Sequence, residues 1–71
     1  MQEDAMQIHL NGEAKHLDSE ISVAQLVETL GLTGRRIAVE VNEEIVPKSV
    51  HGDTRLADGD RVEIVHAIGG G

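Results

Sequence analysis

The residues available for a core constrain this chain more than any other feature. Its 71 residues include no Phe, Tyr, Trp or Cys, so an apolar interior must be built from Ile, Leu, Val, Ala and two Met. A chain of this size buries only about 60% of the surface that its unfolded form exposes. We therefore expect a single domain over residues 1–71 with one shared core and no room for an enclosed active site.

Composition also narrows the possible partners. Without cysteine the chain has no disulfide, no thiolate metal site and no side-chain carrier of sulfur. Thirteen acidic against six basic residues, a net charge of −7 and the absence of aromatic rings disfavour nucleic acid and favour partners with basic faces. Residues 1–5 lack the basic start of a secretion signal and no apolar run reaches membrane-spanning length, so we predict a cytoplasmic protein with no membrane partner.

In the first half of the chain the spacing of apolar residues changes from that of a strand to that of a helix. Apolar and polar residues alternate over residues 6–10, and Asn11-Gly12 is a strong hairpin signal. A two-residue loop places Leu10 opposite Glu13, which predicts a second strand at a sheet edge. A capped helix follows: Ser22 and Gln25 form a capping box, Gly31 is the C-terminal cap, and Val23, Leu26, Val27 and Leu30 form one apolar stripe.

The second half predicts further strands. Residues 37–41 alternate as a strand, residues 42–44 are interpreted as a turn, and Ile45-Val46 as a short segment that Pro47 ends. Residues 48–54 are predicted to form a surface loop. The last part comprises the anchor Leu56, a turn at Asp58-Gly59-Asp60, and a strand with Val62 and Ile64 inward and Glu63 and Val65 outward. The order predicts an α+β fold, one sheet with a single helix on one face.

Side chains suited to catalysis are few. His9, His16, His51 and His66 show no metal-ligand spacing, and we interpret them as solvated or rim residues, with no metal site. Asp58 and Asp60 are explained by the turn around Gly59. The three terminal glycines differ, because they stabilise no element. Without Cβ atoms, Gly69 and Gly70 could thread a narrow channel and present a terminal carboxylate to another protein's active site, although a frayed terminus is the alternative.

Two segments carry a resemblance to a known family. Residues 41–47 (VNEEIVP) and 56–71 (LADGDRVEIVHAIGGG) resemble the sulfur carrier proteins of thiamine thiazole biosynthesis, which have the ubiquitin-like β-grasp fold. The similarity spans roughly residues 6–71. It implies a mixed sheet of four to five strands with one helix across one face, residues 1–5 as a disordered extension, and residues 69–71 as a flexible reactive tail.

The resemblance also implies a mode of action. The chain would not be an enzyme but a co-substrate: an E1-like adenylating enzyme uses ATP to activate the terminal glycine, a cysteine desulfurase or other persulfide donor supplies sulfur, and thiazole synthase takes it from the thiocarboxylate. No cofactor would be bound. Family members commonly end in two glycines, so the modified residue is Gly71, or Gly70 if Gly71 is an added residue. The implied docking surface comprises Val65, Ala67, Ile68 and Ala38, and an ordinary solvated face is the alternative.

Other functions share this fold or tail. The small sulfur-carrier subunit of molybdopterin synthase is the nearest alternative, although such subunits often have prolines before the glycines, where this chain has residues 65–68 without one. A ubiquitin-like protein modifier and a non-catalytic interaction module are alternatives of another class.

Overall fold

A computed structural model describes residues 6–66, which form five strands, one α-helix and one 3₁₀ helix. The predicted extension of residues 1–5 and the tail of residues 69–71 lie outside this range. In chain order the elements are β1 (Met6–Leu10), β2 (Glu13–Leu17), α1 (Val23–Thr29), β3 (Ile37–Val41), β4 (Glu44–Val46), the 3₁₀ helix (Lys48–Asp53) and β5 (Arg61–His66).

The five strands form one mixed sheet in the order β2-β1-β5-β3-β4. The central pair, β1 and β5, is parallel, and the other three pairs are antiparallel. The last strand of the described chain therefore lies in the middle of the sheet. This arrangement confirms the predicted α+β fold with a mixed sheet and a single helix.

The first hairpin forms as its turn residues predict. Asn11 and Gly12 both have positive φ, 51° and 86°, which is the conformation of a two-residue turn whose twist matches its strands. Leu10 lies opposite Glu13, and β2 is an edge strand. Both the predicted register and the predicted edge are confirmed.

The ends of α1 are fixed by local hydrogen bonds. The Gln25 amide donates to Ser22 Oγ at 3.1 Å and the Ser22 amide donates to Gln25 Oε1 at 2.9 Å, which completes the capping box. At the other end Gly31 has φ 74° and the Leu32 amide donates to the Val27 carbonyl at 3.0 Å, a Schellman motif. The predicted caps are confirmed.

The core lies between α1 and one face of the sheet and contains only aliphatic residues and methionine. Its ten buried members come from the sheet, the helix and the anchor Leu56, which is fully buried as predicted. They are Met6, Ile8, Leu17, Val23, Leu26, Val27, Val39, Leu56, Val62 and Ile64.

Two details of the second half differ from the sequence prediction. The turn after β3 has two residues, Asn42 and Glu43, rather than three, so Glu44 begins β4. Side chains alternate between the two faces of a strand, so a shift of one residue moves a side chain to the other face. A three-residue turn would have placed Ile45 opposite Val41. The observed two-residue turn places Ile45 opposite Glu40, on the face of the sheet that α1 does not cover.

The segment predicted as a surface loop is a 3₁₀ helix, Lys48–Asp53. Pro47 begins it with φ −60°, and the Val50 amide donates to the Pro47 carbonyl at 3.0 Å. Thr54 Oγ1 ends it by donating to the Val50 carbonyl at 2.8 Å. These bonds satisfy backbone groups without a strand partner, which is why the segment is ordered. Within residues 6–66 no helix is long and apolar enough to cross a membrane.

Candidate functional site

The strand that leads to the terminal glycines, β5, is held on both sides. It pairs with β3 along five of its six residues, from Val41↔Val62 to Ile37↔His66, and with the end of β1 through His9↔Arg61 and Leu10↔Val62. The predicted reactive residues Gly69, Gly70 and Gly71 lie outside the described residues, as do Ala67 and Ile68 of the predicted docking surface. The structure describes β5, the strand that precedes these residues in the sequence.

The other two predicted docking residues lie side by side. Val65 of β5 is the cross-strand partner of Ala38 of β3, and Val65 is 54% exposed. Both lie on the face of the sheet that α1 does not cover. Sequence parity therefore placed these two side chains on the uncovered face correctly.

Three more residues belong to the same surface, although of these the sequence predicted only that Glu63 points outward and it placed none of them in the docking surface. Ile45 is 62% exposed and lies opposite Glu40, which in turn lies directly opposite Glu63. We call the five residues Ala38, Glu40, Ile45, Glu63 and Val65 the open-face patch. Two carboxylates directly opposite each other repel. Transfer of the exposed aliphatic side chains beside them from water to an apolar surface is favourable. The patch therefore suits a partner that brings a basic group and apolar side chains.

Asparagines from both hairpin turns hold β5, one at its middle and one at its start. At the middle, Asn11 Oδ1 accepts from the Ile64 amide at 2.8 Å and Asn11 Nδ2 donates to the Ile64 carbonyl at 3.3 Å. At its start, Asn42 Oδ1 accepts from the Arg61 amide at 3.0 Å, and the Asn42 amide donates to the Arg61 carbonyl at 2.7 Å. Because β1 ends at Leu10, the Asn11 side chain takes the place of a further strand residue beside Ile64.

Sequence reasoning interpreted these asparagines only as turn formers. Asn is favoured where φ is positive, and that preference hides any further role of its amide. The signal that was available is the parallel pairing of β5 with β1, which brings the turn after β1 beside the middle of β5.

The aspartates of the last turn lie in the predicted turn, and their side chains accept hydrogen bonds from backbone groups. Asp58 Oδ1 accepts from the Gln7 amide at 2.8 Å, and Asp60 Oδ2 accepts from the Ala57 amide at 2.8 Å. Gly59, with φ 88°, donates to the Gln7 carbonyl at 2.8 Å. The turn interpretation is confirmed, and the Asp58 carboxylate fastens the turn before β5 to β1.

The histidines do not converge. His9, His16 and His66 are exposed on the sheet, whereas His51 is half-buried with Nε2 3.0 Å from the Val46 carbonyl. Among residues 6–66, no group of three or more His, Asp or Glu side chains is placed to hold a metal ion.

A mixed five-stranded sheet in this order, with one helix across one face, defines a β-grasp protein. Comparisons with known proteins agree. The crystal structure of the thiamine biosynthesis protein (ThiS) from Geobacter metallireducens superposes with a TM-score of 0.82 and 29% sequence identity, covering 93% of this chain and all of that one.

Sequence comparisons give the family. The model of the ThiS family matches residues 8–71, and the sulfur carrier protein ThiS of Bacillus subtilis (strain 168) is 34% identical over 65 residues, 90% of this chain and 98% of that protein. The chain belongs to the ThiS family, which confirms the resemblance found in its sequence to the sulfur carriers of thiamine biosynthesis.

Longer proteins contain a similar region. A thiazole synthase of Paramagnetospirillum magneticum (strain ATCC 700264 / AMB-1) is 44% identical over 66 residues, and one of Magnetococcus marinus (strain ATCC BAA-1437 / JCM 17883 / MC-1) is 38% identical over 66 residues. The chain spans about a fifth of the length of these two thiazole synthases, 20% in each case.

Proposed function

We propose that this chain carries sulfur for thiazole synthesis as a thiocarboxylate on its terminal glycine, Gly71, or on Gly70 if Gly71 is an added residue. The observation that carries the proposal is the family match over residues 8–71, which includes the run of glycines that follows β5. The absence of cysteine supports it, because sulfur held on the main-chain carboxyl needs no thiol side chain.

The proposed chemistry requires activation by a partner. A carboxylate is a poor electrophile because it is ionised at neutral pH. In an E1-like adenylating enzyme its oxygen attacks the α-phosphorus of ATP, which forms the acyl-adenylate and releases pyrophosphate. A persulfide sulfur from a cysteine desulfurase or other donor then attacks the acyl carbon and expels AMP, and a thiol reduces the resulting acyl disulfide to the thiocarboxylate.

In this scheme the chain presents its terminal carboxyl group to its partners and has no catalytic role itself. Gly69 and Gly70 have no Cβ, so they suit a narrow channel leading to the partner's reaction centre. The clamped β5 fixes the point from which this segment continues, and the open-face patch beside it supplies the docking surface with Ala67 and Ile68. ATP is used by the adenylating enzyme and no cofactor is held by the carrier.

Thiazole synthase is the proposed acceptor. Two proteins of that name contain a region similar to this chain within one polypeptide. This supports direct contact between the carrier and thiazole synthase. The acidic and apolar open-face patch favours a basic and apolar surface on the enzymes that it meets.

Intact-mass measurement tests the chemistry. The protein is incubated with ATP, the adenylating enzyme and a persulfide donor, and the expected product is heavier by the replacement of one oxygen with sulfur. Removal of Gly71 alone, compared with removal of Gly70 and Gly71, identifies the modified residue. An unchanged mass with active enzyme contradicts the proposal, and ladders of conjugates indicate a protein modifier instead. Sulfur drawn off by molybdopterin synthase rather than thiazole synthase indicates the other pathway.

A matched pair of variants tests the docking surface. Val65→Asp places a third carboxylate in the open-face patch, whereas Val50→Asp makes the same change on the 3₁₀ helix, where Val50 is 37% exposed. Loss of an anchoring apolar contact typically weakens binding by about 1 kcal/mol or more, or roughly fivefold. We expect that loss in the affinity for the adenylating enzyme with Val65→Asp only. Equal effects of the two variants would contradict the placement of the surface.

A further inference from the structure

A second surface lies on the opposite side of the sheet, beside the helix. A groove of about 250 Å³ runs between α1, the segment that leads into β3, and the 3₁₀ helix. We call it the helix-side groove. Its lining includes Val27, Leu32, Arg35, Ile37, Lys48 and His51.

The floor of the groove is apolar and fixed. Val27 belongs to the buried core, and Leu32 and Ile37 pack against that core while remaining partly exposed. The Schellman motif holds Leu32 against the end of α1, and the Arg35 amide donates to the Leu32 carbonyl at 3.0 Å. The aliphatic side chains therefore line a preformed depression, which keeps the entropy lost on binding low.

The rim of the groove is cationic. Arg35 and Lys48 line it, Arg36 follows in sequence, and no aspartate or glutamate is among the lining residues. His51 closes one wall, with its ring held by the bond between Nε2 and the Val46 carbonyl. Two of the six basic residues of a chain with net charge −7 thus line one groove.

These cations are not neutralised by carboxylates of the described chain. Over residues 6–66 the one salt bridge joins Arg55 to Glu20 at 3.7 Å, although thirteen acidic residues occur in the sequence. Neither Arg35 nor Lys48 has a described carboxylate within 4.0 Å. An aliphatic floor beneath unneutralised cations is complementary to a ligand that combines an aliphatic group with carboxylates.

We propose that the helix-side groove binds an acidic peptide segment of a partner protein, in which one aliphatic side chain enters the groove and flanking carboxylates meet Arg35 and Lys48. The volume fits one or two aliphatic side chains and falls below the roughly 300–1,000 Å³ of pockets that enclose small ligands, and the groove is open to solvent, as a peptide requires. The open-face patch is acidic and lies on the other face of the sheet. A basic partner can therefore bind the patch while an acidic partner binds the groove.

Peptide titration of the ¹⁵N-labelled protein tests this proposal. The probe is acetyl-EELEE-amide, with acetyl-EESEE-amide to remove the aliphatic anchor and acetyl-KKLKK-amide to reverse the charge. We expect only the first to bind, with amide shifts confined to residues 24–27, 32–37 and 48–52. The double variant Arg35→Glu, Lys48→Glu should weaken this binding by roughly tenfold or more at low salt.

A control with the same change of charge separates the groove from the overall field. Lys15→Glu, Arg61→Glu reverses two cations on β2 and β5, and it should leave the affinity within about twofold, since distant charges are screened. Dispersed amide spectra confirm that each variant is folded. Equal weakening by both double variants, shifts on the open-face patch instead, comparable binding of the lysine peptide, or no binding of the acidic peptide would each overturn the proposal. None of these outcomes depends on sulfur transfer, because no activating enzyme is present.

Discussion

The two hairpin turns of the sheet share one backbone conformation but differ in sequence. Asn11 and Gly12 have φ 51° and 86°, and Asn42 and Glu43 have φ 52° and 73°. Gly adopts a positive φ freely, whereas for an ordinary L-residue the left-handed region costs roughly 1–2 kcal/mol. The second turn is therefore strained at Glu43, and the first is not.

The difference shows that a turn can be specified by its surroundings as well as by its own residues. Asn42 is held by Arg61 and donates from Nδ2 to Asp60 Oδ1 at 3.0 Å, so bonds to the start of β5 keep the turn closed around Glu43. Asn11 makes the corresponding bonds to Ile64, which is buried. One turn is locally favoured and the other is imposed, yet both fasten β5.

The largest effect should come from Asn11→Gly. Glycine keeps the positive φ but removes both side-chain bonds, which leaves the Ile64 amide without its acceptor in a buried setting. Loss of a partner there costs about 1–3 kcal/mol of unfolding free energy, measurable by urea denaturation. Asn11→Asp keeps the Oδ1 acceptor and should retain most of the stability. An Asn11→Gly variant as stable as the parent would show that Asn11 acts only through the turn, and equal losses in both variants would show that the Oδ1 acceptor is not the stabilising group.

Asn42→Gly should cost less, about 1 kcal/mol, because water can replace its bonds at the exposed start of β5. Hydrogen exchange of the Arg61 amide, compared with that of Ile64, measures the local loss. Faster exchange at Ile64 than at Arg61 in this variant would contradict the assignment of Asn42 to the start of the strand and of Asn11 to its middle.

Removing the strain should stabilise the fold. Glu43→Gly relieves the left-handed penalty but increases the entropy of the unfolded chain, for a net gain of about 0.5–1 kcal/mol. The reciprocal change, Gly12→Glu, should lose a similar amount without a steric clash, because no atom lies within 4 Å of a Cβ built there. The double variant should recover the stability of the parent, since the turns are separate. A destabilising Glu43→Gly would show that the glutamate side chain has a role of its own.

The smallest effect concerns a like-charged pair between β3, a strand of the second hairpin, and β5. Glu40 lies opposite Glu63 across these two strands, whereas inside each hairpin charged residues lie opposite apolar ones, as in Ile8↔Lys15 and Glu40↔Ile45. Glu40→Gln should raise stability by about 0.2–0.5 kcal/mol, and salt should reduce the gain. The same variant should bind the adenylating enzyme more weakly, which a purely structural pair would not do. Glu44→Gln, in β4 opposite Val41, is the control.

Most of the fold follows from local patterns in the sequence. The Asn11-Gly12 signal predicted a register, and Ser22 with Gln25 predicted a helix start, because each depends on residues three or fewer positions apart. The turn at Asn42 was wrong by one residue because Asn-Glu carries no glycine signal, and that error hid Ile45 from the predicted docking surface. The 3₁₀ helix was missed because its stabilising bonds arise from Pro47 and Thr54 at its two ends.

The candidate surfaces were less predictable than the fold. Val65 and Ala38 could be placed on one face by parity, but the opposition of Glu40 and Glu63 depends on which strands are neighbours. The helix-side groove joins residues from three elements that are separated along the chain, so no window of sequence shows it. Its cations are dispersed among residues 35–48 and resemble an ordinary solvated surface until the fold is known.

The parallel pairing of β1 with β5 also determines how the molecule resists mechanical force. Met6 begins β1 at one end of the sheet and His66 ends β5 toward the other, so a force that separates these two residues runs along both strands. It loads the hydrogen bonds between them in shear, all together, rather than opening them one by one from an end. Bonds from Asn11 to Ile64 lengthen this ladder by one step. A partner that pulled on β5 along its length would therefore act in the direction in which the sheet resists force most.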